Sequence, residues 1–112
     1  MVKPIVLKSK DTEYTLEFNR ESVRFAEMRG FKYEEVAEYP MTKIPEFFFY
    51  AFRMHHPKVA RNQTDAILFE ELGGIPDGMV ERLVDLYLQP FEALTVVEEG
   101  EERKNSKWTV EM

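Results

Sequence analysis

The stretch Pro45-Glu46-Phe47-Phe48-Phe49-Tyr50-Ala51-Phe52-Arg53-Met54 decides the fold. Aromatic residues at 47, 48, 49, 50 and 52 cover almost the whole circumference of a helix, and a helix that is apolar all round is buried on several sides. Thr42 is read as its N-cap, and Pro45 is tolerated in a first turn. The helix is expected to stop near His55-His56-Pro57. Phe48 and Phe52 are i, i+4 neighbours and should form its most buried side, together with Phe18 and Leu83 from other elements.

Elements that could cover such a helix lie on both sides of it. Upstream, the first 18 residues read as a hairpin. Ile5 and Leu7 form one alternating apolar set, and Tyr14, Leu16 and Phe18 the other. Ser9-Lys10-Asp11-Thr12 is the polar turn, while Lys8, Glu13, Thr15 and Glu17 supply the wet face. Two strands alone are marginal in water, so this hairpin needs helices against it. Asn19 is an N-cap for the helix that follows, with Glu21 in its first turn. Val23 and Ala26 share one side of that helix, and Phe25 and Met28 lie on another. Gly30 supplies the left-handed stop, with Phe31 packed back onto the last turn. A shorter helical stretch, Tyr33 to Tyr39, ends before Pro40.

Downstream, a helix is predicted from about Gln63 to Leu72, ending at Gly73-Gly74. Pro76 is expected to start the next, in which Met79, Val80, Leu83, Val84, Tyr87 and Leu88 recur at helical spacing. Pro90 interrupts it and leaves a short turn through Leu94. The short connection predicts that these two helices pack as antiparallel neighbours. The fold class is therefore α+β, mostly α: an N-terminal hairpin on a bundle of about four to five helices. One domain spans 1–97, with the hairpin at 3–18 and the helical part at 19–94. Residues 98–112 read as a flexible charged tail, because the run from Glu98 to Lys107 has no apolar residue to offset its ordering entropy.

Composition narrows the functions. The chain has 112 residues, 15 Lys+Arg against 21 Asp+Glu, a net charge of −6 and no cysteine. That balance argues against nucleic-acid binding through a basic surface. The longest apolar run, Phe47 to Phe52, is far short of the roughly 20 residues of a membrane span. Met1-Val2-Lys3-Pro4 has no signal-peptide core, and without cysteine a cytoplasmic protein is expected.

No motif for catalysis emerges. His55-His56 reads as a helix end, since Glu70 or Glu71 would leave a metal without a third ligand at recognisable spacing. The pairs Glu34-Glu35, Glu70-Glu71 and Glu98-Glu99 point in different directions on a helix and do not converge on a substrate. Gly73-Gly74-Ile75-Pro76-Asp77-Gly78 lacks the Lys-Ser/Thr ending of a phosphate loop. Nor does any serine sit in a nucleophile-elbow context. No cofactor, no metal and no enzymatic activity are expected. Nine phenylalanines are more than so small a core readily hides, so part of this apolar surface is expected to meet a protein partner or a second copy. Phe47, Phe69 and Phe91 are the aromatic candidates. Met54 and Met79 join them, because methionine adapts to varied partners.

The order of elements carries a resemblance. Tyr14-Thr15-Leu16-Glu17-Phe18-Asn19 leads into Val23-Arg24-Phe25-Ala26-Glu27-Met28-Arg29-Gly30-Phe31. The aromatic helix, Leu68-Phe69-Glu70-Glu71-Leu72-Gly73-Gly74 and a last amphipathic helix follow. Over residues 3–94 this resembles the small tail assembly chaperones of long-tailed bacteriophages and prophages. The resemblance implies a non-enzymatic protein of viral morphogenesis, encoded between the major tail protein and the tape-measure protein. It would bind the tape-measure protein, recruit tail-tube subunits, stay in the host cytoplasm and be absent from the mature virion. It also implies a longer product made by a −1 ribosomal slip, for which Arg103-Lys104-Asn105 has compatible codons. Two other readings stand beside it: a head–tail connector or tail-completion protein retained in the particle, and a small regulatory protein-binding domain.

Overall fold

A computed structural model describes residues 2–94. Strands β1 (Ile5–Ser9) and β2 (Thr12–Leu16) form an antiparallel hairpin, with Ile5 opposite Leu16 and Leu7 opposite Tyr14. The loop is the two residues Lys10-Asp11, and Lys10 takes the left-handed backbone at φ 57° that so tight a turn demands. Ile5, Leu7, Ser9 and Leu16 are buried, so the alternation read from the sequence sets the covered face.

Helix α1 (Arg20–Met28) begins at Asn19. The Asn19 side chain accepts from the Ser22 N–H at 2.8 Å, and Ser22 Oγ accepts the Asn19 N–H at 2.9 Å, a reciprocal cap. Its end is a Schellman closure: Gly30 sits at φ 85°, its N–H reaches Glu27 O at 2.9 Å, and the Phe31 N–H reaches Ala26 O at 3.1 Å. The stretch before Pro40 is shorter than expected, a single 3-10 turn at Tyr33–Glu35. Pro40 disfavours helical geometry at Tyr39, which sits at φ −130°, ψ 62°.

Helix α2 (Pro40–Phe52) therefore starts earlier than the sequence suggested. Its N-cap is Tyr39, not Thr42, because Pro40 fits the first helical position, where a missing N–H loses nothing. Pro45 then falls in the second turn. It deprives the Met41 carbonyl of its helical donor at a residue that is 88% exposed, where water can replace it. Helix α3 (Arg61–Ala66) runs directly into a π-helical turn, Ile67–Glu71. The Leu72 N–H bonds Ile67 O at 2.9 Å and the Gly74 N–H bonds Leu68 O at 2.8 Å, one residue wider than a normal closure, with Gly73 at φ 72°. Helix α4 (Met79–Leu88) starts at Met79 instead of Pro76, since Gly78 at φ 83° breaks any helix begun upstream. A 3-10 turn, Gln89–Ala93, follows it.

Helix α2 is the hub: α1, α3, α4, β2 and the Tyr33–Glu35 turn all pack on it. The expected pairing of α3 with α4 gives way to this arrangement, in which each packs chiefly on α2. Phe48, Phe52, Phe18 and Leu83 are all buried in one core, as the aromatic pattern predicts. The fold is α+β and mostly α, with the hairpin against the helices. No helix among the described residues is long and apolar enough to cross a membrane. The tail at 98–112, with Trp108 and Arg103-Lys104-Asn105, lies outside the described residues, as do 95–97.

Candidate functional site

Phe47 is a correction. It is not an exposed contact residue but 1% exposed, at the centre of an aromatic cluster. Its ring lies 5.6 Å from Phe18, 5.2 Å from Phe31 and 5.6 Å from Tyr87. The reason is geometric: the face of α2 carrying Phe47, Tyr50 and Ala51 is covered jointly by α1, the segment after it and α4. Phe69, by contrast, stands out from the π-helical turn at 55% exposure. Met54 is half-buried beyond the end of α2, and Met79 half-buried at the start of α4.

Phe91 is half-buried too, 5.9 Å from the Tyr87 ring. It lies in a groove between α1 and the turn that follows α4. Val23, Met28, Pro90 and Leu94 line this groove with it, and Arg20, Arg24 and Glu27 form its rim. Met28 is 74% exposed and Leu94 65%, so the groove walls are apolar and open. The structure thus brings Phe91 together with two residues not singled out as contacts, and places Phe69, Met54 and Met79 on other elements. The signal for Met28 was present: it falls off the Val23–Ala26 side of α1. Phe25, beside it in sequence, is closed off instead. The guanidinium carbons of Arg29 and Arg53 lie 4.4 Å and 3.9 Å from its ring centroid, and Glu21 holds Arg53 at 3.4 Å.

The histidine pair is used structurally. His56 Nε2 accepts the Thr15 N–H at 2.9 Å, and the Tyr14 ring packs edge-on against the imidazole at 5.1 Å. Burial, and then the neighbouring His55, push the His56 imidazole below its ordinary range, which keeps it an acceptor. His55 Nε2 contacts Glu17 Oε1 at 2.8 Å, while Glu71 accepts from the Ser9 hydroxyl. Neither glutamate of the 70–71 pair meets the histidines, and among the described residues no three His, Asp or Glu side chains gather at metal-ligating distance. Burial, aided by Glu27 and Glu34, pushes the Tyr87 hydroxyl up, so it stays a neutral core group.

Comparison with known families places the whole chain. A family model described as "Domain of unknown function (DUF5055)" matches residues 1–112. The chain belongs to that family. No curated protein and no solved structure matches it. Within this DUF5055 chain, Val23, Met28, Phe91 and Leu94 line an open groove with apolar walls between α1 and the turn after α4.

Proposed function

We propose that this DUF5055 chain is a non-enzymatic phage tail assembly chaperone. It acts in the host cytoplasm on the tape-measure protein, recruits tail-tube subunits and is left out of the finished virion. The observation that supports this reading is the open apolar groove, walled by Met28 and Leu94 at 74% and 65% exposure on a domain whose aromatic core is already filled. Such a groove takes the apolar face of an amphipathic helix, and a tape-measure protein is a long helical polymer whose seam needs shielding before the tube covers it. The flexible methionine side chain lets one surface accept successive, non-identical helix turns. The order of hairpin, capped helix, aromatic helix and amphipathic helix is the second support.

The experiment is co-expression with a fragment of the tape-measure protein encoded nearby, followed by sedimentation and pull-down. The expected result is a soluble complex that Met28→Ser and Leu94→Ser weaken without lowering the melting temperature. A strict monomer that leaves the fragment insoluble refutes the proposal. Mass spectrometry of purified particles checks the exclusion from the virion: a stoichiometric signal would favour a connector or tail-completion protein instead.

A further inference from the structure

Beside the apolar groove lies a second concavity of different chemistry. It opens between the end of α1, the segment that follows it and α4, with a volume of about 720 Å³, an ordinary size for a ligand site. Its lining is aromatic and acidic. Phe31 and Tyr33 come from the segment after α1, Tyr87 from α4 and Phe91 from the turn beyond it. The Tyr87 ring is central, 5.5 Å from Tyr33, 5.8 Å from Phe31 and 5.9 Å from Phe91.

The charged residues lining it are Glu27, Glu34 and Lys32. All are exposed, and none of them forms an ion pair among the described residues. The carboxylates therefore outnumber the cation, and both are available. The Tyr87 hydroxyl points to the same conclusion. Tyr87 is 1% exposed, yet its oxygen has no hydrogen-bond partner among the described residues. No unpartnered side-chain oxygen there is sealed from solvent, so this one opens into the cavity that Tyr87 lines. Burial, then Glu27 and Glu34, hold the phenol neutral, and a neutral phenol oxygen accepts an N–H donor.

Aromatic faces, two unpaired carboxylates and an idle acceptor oxygen together describe a site for an organic cation. Guanidinium suits it better than ammonium. It is planar, weakly hydrated and stacks on rings, and its five N–H donors can reach carboxylates and a phenol oxygen together. The cavity also says what carries the cation. Glu27 and Phe91 line both the cavity and the groove, so the two are continuous. The other charged residues of the groove are Arg20, Arg24 and Glu21, and Glu21 is held by Arg53. The surface is thus basic over Arg20 and Arg24 and acidic from Glu27 onward, with Arg20 and Glu27 about 10 Å apart along the axis of α1. A helix lying in the groove reaches the cavity at the acidic end.

We propose that this cavity is the subsite for an arginine side chain presented by the helix that occupies the groove, held by the rings of Tyr33, Tyr87 and Phe91 and the carboxylates of Glu27 and Glu34. The assignment rests on the groove being a protein contact, and not on the tape-measure protein being the partner.

The test uses the full chain and a pair of synthetic amphipathic helical peptides, identical except that one arginine is replaced by citrulline, its uncharged isostere. Binding is followed by NMR, with the ring protons of Tyr33, Tyr87 and Phe91 reporting on the cavity and the Met28 methyl on the groove. The arginine peptide should bind about tenfold more tightly, the combined effect of cation–π contact and exposed ion pairs. Glu27→Gln with Glu34→Gln, both at exposed positions, should reduce that preference to less than about twofold at an unchanged Tm. Met28→Ser should weaken both peptides equally and leave the preference intact. Equal affinities on the parent chain, with the Met28 methyl shifted, overturn the subsite and leave the groove as a contact. A preference that survives the double glutamine variant overturns it too, by assigning the discrimination to the overall charge of −6. Failure of both peptides to move any reporter overturns subsite and groove together. N-acetyl-arginine amide separates the source of the cation. It should bind at least about tenfold more weakly than the arginine peptide, because it buries none of the groove's apolar surface. Equal affinity would overturn the assignment to a protein side chain in favour of a free guanidinium ligand.

Discussion

Truncating Phe47 to alanine should unfold this protein far more readily than truncating Phe69, although both are phenylalanines in helical segments. The Phe47 ring is 1% exposed and meets Phe18, Phe31 and Tyr87 at centroid distances of 5.2–5.6 Å. Removing a buried phenyl group costs about 3–5 kcal/mol through lost transfer energy and the cavity left behind. Three aromatic partners argue for the upper half of that range, since each well-oriented pair adds about 0.5–1.5 kcal/mol beyond area. For a domain of this size, about 4 kcal/mol corresponds to a fall in Tm of about 15–30 °C. Against a total stability of about 5–15 kcal/mol, the variant would sit near the limit of folding. Phe69, at 55% exposure, should cost no more than about 0.5 kcal/mol. The assay is thermal and urea denaturation followed by far-UV circular dichroism, with the m-value checked for constancy. A Phe47→Ala melt within about 3 °C of the parent would refute the packing scheme, as would an equal loss in Phe69→Ala.

Phe48→Ala and Phe52→Ala should each cost about 3–5 kcal/mol as well, because their rings meet at 5.1 Å within the core under the hairpin; parent-like melting of both would contradict this. His56 should make folding pH-sensitive. Its imidazole is held below the ordinary value of about 6.5 in the fold, so on acidification the unfolded chain takes the proton first. The stability it contributes is therefore complete above about pH 6.5 and is lost as pH falls towards the folded value. His56→Gln keeps an acceptor for Thr15 and should flatten that part of a stability–pH curve measured by urea titration; an unchanged slope would exclude His56 as its source. At the gene level, the resemblance to tail assembly chaperones predicts the heptamer A-AAA-AAC across the codons of Arg103-Lys104-Asn105, with an open −1 frame beyond it. The nucleotide sequence answers this at once.

Local chemistry made most of the elements legible from the amino-acid order alone. Alternation at Ile5, Leu7, Tyr14 and Leu16 marked the hairpin, and Asn19 with Gly30 marked both ends of α1, because capping and left-handed stops depend on a few adjacent residues. The aromatic run from Phe47 to Phe52 announced a helix buried on several sides, and α2 is the hub on which the others pack. Helix starts were less legible. Pro40 and Gly78 shifted them, since a proline in the first turn or a glycine at positive φ re-sets the boundary in ways that a list of cap preferences does not rank. Which aromatic residues stay outside was decided only by tertiary structure. Phe47 and Phe69 are the same residue type in helical segments, and the difference lies in which neighbours arrive from distant parts of the chain. His56 serves as a backbone acceptor for Thr15, 41 positions earlier, and the groove of Met28 and Leu94 joins α1 to the turn after α4. Local free energies set turns, caps and periodicity, whereas burial depends on which surfaces meet, and only the folded chain supplies that.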